Sequence, residues 1–199
     1  MAPDTLPAMT VDEARALMHE WVKSEALRAH MEAVAACVGA YARKLEPDRV
    51  EHWTVCGLLH DFDYEKHPSR EEHPFVGVQE LARLGVDEEI REAILGHADY
   101  SGTPRTTPLS KVLYACDELA GFIVACSKVR PNGLGDLEPR SVKKKLKDKA
   151  FAANVSREDI AGGVSELGEL FEASDLAAFE AQHIQTCIEA LRGQKELSS

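Results

Sequence analysis

The run Leu58-Leu59-His60-Asp61-Phe62-Asp63-Tyr64 leads an apolar segment straight into an imidazole and two carboxylates. Burying such groups without partners costs several kcal/mol. Other groups of the same chemistry lie in comparable settings. His30 falls three residues after Leu27 and four before Val34, on the inward face of a helical stripe. Asp117 lies four residues before Gly121 and seven before Val124, on a largely apolar face where an ionised carboxylate needs a cation or several donors. His73 precedes Pro74 at a helix start, and His97 closes a short helix before a loop. Each residue alone has an ordinary explanation: a satisfied core histidine, a neighbour of an N-cap, a carboxylate paired with arginine. Together, elements that each present an imidazole or a carboxylate favour a shared metal centre.

The elements that must position these groups all read as helices. Thr10 followed by Glu13 is a capping-box pattern that opens a helix to about Lys23, and a second runs from about Ser24 to Leu45. Pro47-Asp48 breaks the chain, and Asp48 with Glu51 is expected to cap a third helix ending near His60-Asp61. Tyr64 to His73 reads as a loop, followed by helices at roughly 74–84 and 87–97, the latter capped by Asp87 after Gly85. Thr107-Pro108 starts a long apolar helix ending near Lys128. Arg130 to Pro139 is the linker candidate. Beyond it come a basic helix from Ser141 to Lys149, a helix capped by Ser156 with Asp159, and a closing helix from Asp175 to Leu191. With no alternating strand pattern or internal repeat, the expected fold class is all-α.

Composition narrows the function. A chain of 199 residues suits one domain, and 44% hydrophobic with 29% charged residues is an ordinary balance. A formal net charge of -11 argues against nucleic acid as a partner. No segment reaches membrane-spanning length, and Met1 to Thr10 lacks a basic start followed by an apolar run, so no membrane association and a cytoplasmic location are expected. Five widely spaced cysteines, Cys37, Cys56, Cys116, Cys126 and Cys187, read as reduced core residues. Against the acidic whole, Lys143, Lys144, Lys145, Lys147 and Lys149 form a basic run, read first as an exposed helix face. A sharper reading has Lys143 and Lys144, with Arg130, holding substrate phosphates near the metals. His52 and His67 read as exposed.

The series His30, His60-Asp61, Asp117 resembles the signature of the HD superfamily of metal-dependent phosphohydrolases over roughly Ala26 to Lys128. With His73 and His97 between the doublet and the final aspartate, the chain resembles the six-ligand branch that includes bacterial diadenosine tetraphosphate hydrolases. The run from Lys143 to Ala152 is similar to that of a set of bacterial HD proteins. The resemblance implies an HD-domain helical bundle at about 24–130, with a C-terminal helical extension at about 131–199 in a single domain. It also implies one or two divalent ions of iron, manganese, cobalt, nickel or zinc, with His60, His30 and Asp117 on the first, His73 and His97 on the second, and Asp61 as the bridge. The implied activity is hydrolysis of a nucleotide or other small phosphate ester by metal-activated water. Many relatives carry a lysine four residues after the doublet's histidine. Tyr64 stands there in this chain, with Lys66 the nearest lysine, which leaves Asp63 and Lys66 as candidates for catalytic support by proton transfer or ligand orientation. The same ligand set also serves di-iron oxygenases, and a non-catalytic metal- or nucleotide-binding regulatory module would keep it too.

Overall fold

The computed structural model describes residues 8–194; most of the Met1–Thr10 segment considered above lies outside them. Among the described residues there are nine α-helices and no strand, so the fold is all-α. Helix α1 spans Val11–Trp21 and opens as its sequence predicts: Thr10 Oγ1 accepts from the Glu13 amide at 3.2 Å, and the Glu13 carboxylate accepts from the Thr10 amide at 2.8 Å. Helix α2 spans Glu25–Leu45 with Ser24 as its cap. Helix α3, Val50–Leu59, departs from expectation because no side chain caps it. Pro47–Arg49 forms a 3-10 turn running directly into α3, so Asp48 sits inside a turn rather than ahead of the helix. Glu51 instead accepts from the Val11 amide at 3.2 Å and ties α1 to α3.

Helices α4 (Phe75–Arg83) and α5 (Glu88–His97) are joined through Gly85, whose φ of 75° is open to glycine at little cost. Helix α6, Pro108–Lys128, starts at Thr107-Pro108 and ends at Lys128 as the sequence indicates. Helix α7 covers Pro139–Leu146, beginning earlier and ending sooner than Ser141–Lys149, because proline suits the first helical position. The next segment turns back on itself and is pinned by Arg157, whose guanidinium donates to the carbonyls of Asp148, Phe151, Ala152 and Val155. Helices α8 (Arg157–Leu170) and α9 (Leu176–Arg192) complete the order, capped by Ser156 and Asp175. None of the described helices is long and apolar enough to cross a membrane.

Helix α2 packs between α3 and α6, and α6 also packs on α5 and α8. Met31 and Val34 of α2, Trp53 and Leu59 of α3, Leu113 and Phe122 of α6 and Ile184 and Leu191 of α9 are fully or almost fully buried in one continuous core. The Arg130–Pro139 connection is held to that core: Leu134 and Leu137 are buried, and Arg192 Nε donates to the Leu134 carbonyl at 2.8 Å. All five cysteines are buried and none forms a disulfide.

Two glycines set how closely the central helices approach. A Cβ on Gly57 would lie 2.6 Å from Ala35 Cα, and one on Gly163 would lie 2.6 Å from Ala115 Cα. Both clashes are with backbone, which cannot swing aside as a side-chain tip can. Gly57→Ala must therefore push α3 off α2, and we expect it to lower unfolding free energy by about 1–3 kcal/mol. Denaturant unfolding checks this, and unchanged stability would contradict the close approach.

Candidate metal centre

The end of α3 delivers His60 and Asp61 to the middle of the bundle. His60 is fully buried, and its Nδ1 donates to the Gly57 carbonyl at 2.8 Å. His97, at the end of α5, makes the equivalent bond from Nδ1 to the Ile94 carbonyl three residues earlier. A carbonyl only accepts, so each ring carries its proton on Nδ1 and turns Nε2 into the site. His73 reaches the same state differently: its Nδ1 donates to Asp63 Oδ1 at 2.7 Å, and Asp63 Oδ2 accepts from the Gly77 amide at 2.7 Å. The His73–Pro74 peptide bond is cis. Helix α2 supplies His30, and α6 supplies Asp117 across from it, with His30 Nε2 and Asp117 Oδ1 3.0 Å apart.

Asp61 lies at the centre of these groups. Its Oδ2 is 3.5 Å from His60 Nε2 and 3.8 Å from His30 Nε2. Its Oδ1 is 3.3 Å from His73 Nε2 and 3.4 Å from His97 Nε2. One oxygen therefore faces each histidine pair. Asp117 Oδ1 stands 3.4 Å from His60 Nε2, on the His30 side.

These groups strongly perturb one another. Burial opposes charge on His60, but Asp61 and Asp117 outweigh it and hold the imidazole up at about 9. Burial likewise opposes charge on His73, and its bonds to Asp61 and Asp63 raise it to about 9. Burial works against ionising Asp61 and Asp117, yet the facing imidazoles hold both carboxyls well below the usual range. Glu118, beside Asp117, is pushed up to about 7 by burial and by that carboxylate.

The donor set fits a divalent cation. His60 Nε2 and His30 Nε2 face each other at 3.3 Å, and His60 already uses Nδ1 as a donor. Its Nε2 can then satisfy the facing oxygens only by taking a second proton or by binding a metal. The ligand atoms of His30, His60 and Asp61 lie within 4.8 Å of one another, and so do those of Asp61, His73 and His97. Two trios sharing one carboxylate could hold one ion or two.

The cluster opens into a cavity of about 350 Å³. His30, Asp61, His73, His97 and Asp117 line it, together with Tyr64, Tyr100, Tyr114, Glu118 and Asp159. Those last five were not singled out from sequence as site residues. Tyr114, Asp117 and Glu118 occupy i, i+3 and i+4 of one helix face, a spacing that could have flagged them. Tyr64 sets its ring edge-on to His73 with centroids 5.1 Å apart. Tyr100 donates its hydroxyl to the His73 carbonyl at 3.1 Å. Asp159 comes from the first turn of α8, a placement only tertiary packing produces.

The other expected site residues lie elsewhere. Asp63 is buried and bonded to His73 and Gly77, so it orients the His73 ring and does not face the cavity. Lys66 Nζ sits over the Trp21 ring, 4.1 Å from its centroid. Arg130 pairs with Asp136 at 3.0 Å, Lys143 pairs with Glu180 at 2.6 Å, and neither these two nor Lys144 lines this cavity. His52 and His67, expected at the surface, are partly buried instead. His52 Nε2 faces Glu89 at 3.4 Å, and His67 pairs with Glu72 at 3.2 Å, because α5 and the turn before α4 fold over them. His52, Asp87 and Glu89 also lie within ligating reach of one another, but Arg49 already occupies the Glu89 carboxylate.

Residues 27–121 match the family model of the HD domain, a segment just under half of the chain that includes all six residues of the cluster. The match supports the HD superfamily, whose members are mostly metal-dependent hydrolases. Comparisons with curated proteins and with solved structures returned no match.

Asp63 accepts two hydrogen bonds through two oxygens, so Asp63→Asn must turn an NH₂ group toward either His73 Nδ1–H or the Gly77 amide. We expect metal affinity to fall about 10- to 100-fold with helical content intact, as for other residues that orient a ligand. Titration calorimetry with manganese or zinc measures this, and an unchanged affinity would contradict the orienting role.

Proposed function

We propose that this chain hydrolyses a small phosphorylated substrate, a nucleotide or another phosphate ester, at a two-ion centre bridged by Asp61. The observation that carries this reading is the division of the Asp61 carboxylate between the His30–His60 pair and the His73–His97 pair. The stretch Glu72-His73-Pro74-Phe75-Val76-Gly77, with Gly96-His97, resembles bacterial diadenosine tetraphosphate hydrolases in sequence alone, and on that resemblance nucleotides are the first substrates to try. Bound ions would supply Lewis acidity toward a phosphoryl oxygen and make a water molecule a stronger acid.

The chain's own residues do the rest. His60 and His97, locked with Nδ1 on backbone carbonyls, present Nε2 without rearrangement. Asp63 and the Tyr100 hydroxyl fix His73 from both its ring and its backbone. Tyr64 and Tyr114 form apolar walls with polar tips, suited to a ring and its hydroxyls. A cavity of about 350 Å³ is near the small end of ligand pockets, which favours a small molecule over a polymer.

Protein reconstituted with manganese, iron or cobalt should release phosphate from a panel of nucleotides and phosphate esters, and His60→Ala and Asp61→Asn should reduce release to background. Activity that survives both substitutions would sink the assignment. One feature favours a second reading. Among the described residues, the cavity lining has no lysine or arginine, so beyond its imidazoles only bound ions would neutralise a phosphate. A di-iron oxygenase acting on a substrate without such a demand fits the same ligands. Oxygen uptake by the iron form, with no phosphate release by any metal form, would select it.

A further inference from the structure

The basic run has no place in the metal cavity, yet part of it converges elsewhere. A second cavity, of about 410 Å³, lies where the end of α6 meets α7. Cys126, Val129 and Leu137 give it an apolar lining, and Arg130, Lys144 and Lys145 bring three cations to it against one carboxylate, Asp148. Asp136 pairs with Arg130 and Asp148 lies near Lys145, so the net local excess is one positive charge, carried by Lys144, in a chain of net charge -11.

The cations are placed rather than merely near. Arg130 is fixed by Asp136 through Nε at 3.0 Å and through Nη2 to the Asp136 carbonyl at 3.1 Å. Lys145 lies over the Phe151 ring, 4.5 Å from its centroid, and 3.6 Å from Asp148. Lys144 is exposed and forms no ion pair among the described residues, whereas Lys143, one residue earlier, is committed to Glu180 at 2.6 Å. Helical spacing explains the split. Val142 turns into the core, Lys143 turns toward α9, and Lys144 and Lys145 face the cavity. Val129 is 62% exposed at the same place, a large apolar side chain left uncovered beside three cations. An apolar surface next to converging cations matches a ligand with an apolar body and an anionic head.

We propose that this cavity is a second ligand site, separate from the metal centre, that binds an organic phosphate with its phosphate toward Arg130, Lys144 and Lys145 and its apolar part on Val129. The two cavities share no lining residue. Along α6, Asp117 and Cys126 are separated by about 14 Å at the helical rise. The proposal therefore stands whether or not the metal centre hydrolyses phosphate.

Phenyl phosphate is a suitable probe, titrated calorimetrically into the full chain and then soaked into crystals to locate it. Lys144→Glu should weaken one binding event by about tenfold or more, the loss expected for one charge-assisted contact. Lys147→Glu makes the same charge change at an exposed residue outside the lining and should leave that event unchanged. The soak should place the phosphate among Arg130, Lys144 and Lys145. Equal weakening by both variants, phenyl phosphate found only in the metal cavity, or no binding would each overturn the proposal.

Discussion

The Asp61 carboxylate, largely but not wholly buried at the floor of the cavity, has one oxygen turned to His30 and His60 and the other to His73 and His97. Ionised groups so enclosed are tolerable only when their charges are answered at close range. Much of the bundle can be understood as meeting that demand. Helix α3 stops at Leu59 so that His60 and Asp61 leave its end together, and α2, α5 and α6 each bring a further group to the same point. The close contact of Gly57 with Ala35 lets α3 lie against α2 at the distance where His60 and His30 meet.

Ring orientation is the second constraint, and helix ends provide it cheaply. A histidine in the last turn can donate Nδ1–H to the carbonyl three residues back, a group that lacks a partner in the helix itself. His60 and His97 both do so, which sets their proton position and points Nε2 inward. His73 precedes its helix and has no such carbonyl, and Asp63 takes over that role while also binding the Gly77 amide. The C-terminal helices contribute in turn: α8 brings Asp159 to the cavity, and the Ser156 amide at its start donates to Glu118.

Much of the core and the site was legible in the sequence because it is local or periodic. The stripe that puts His30 inward, the Thr10 and Thr107 caps and the Pro108 start follow from spacing and backbone chemistry, and the structure has them. The six clustered residues were readable for the same reason, each at a helix end or on an apolar face. What sequence missed depends on contacts across long separations. Asp159 reaches the cavity only because α8 packs on α6, and Tyr100 only because the turn after α5 folds against the His73 carbonyl. The basic run looked like a candidate phosphate clamp for the metals by charge alone, but α7 packs at the far end of α6, so Lys143 and Lys144 are carried away from the centre.

The most direct test of the central arrangement is anomalous diffraction from crystals of the metal-loaded protein, collected at the absorption edge of the ion present. Two peaks are predicted, one on each side of Asp61, the first beside His30, His60 and Asp117 and the second beside His73 and His97. A single peak that leaves His73 and His97 without an ion, or no peak at Asp61 at all, would contradict Asp61 as the bridge of a two-ion centre.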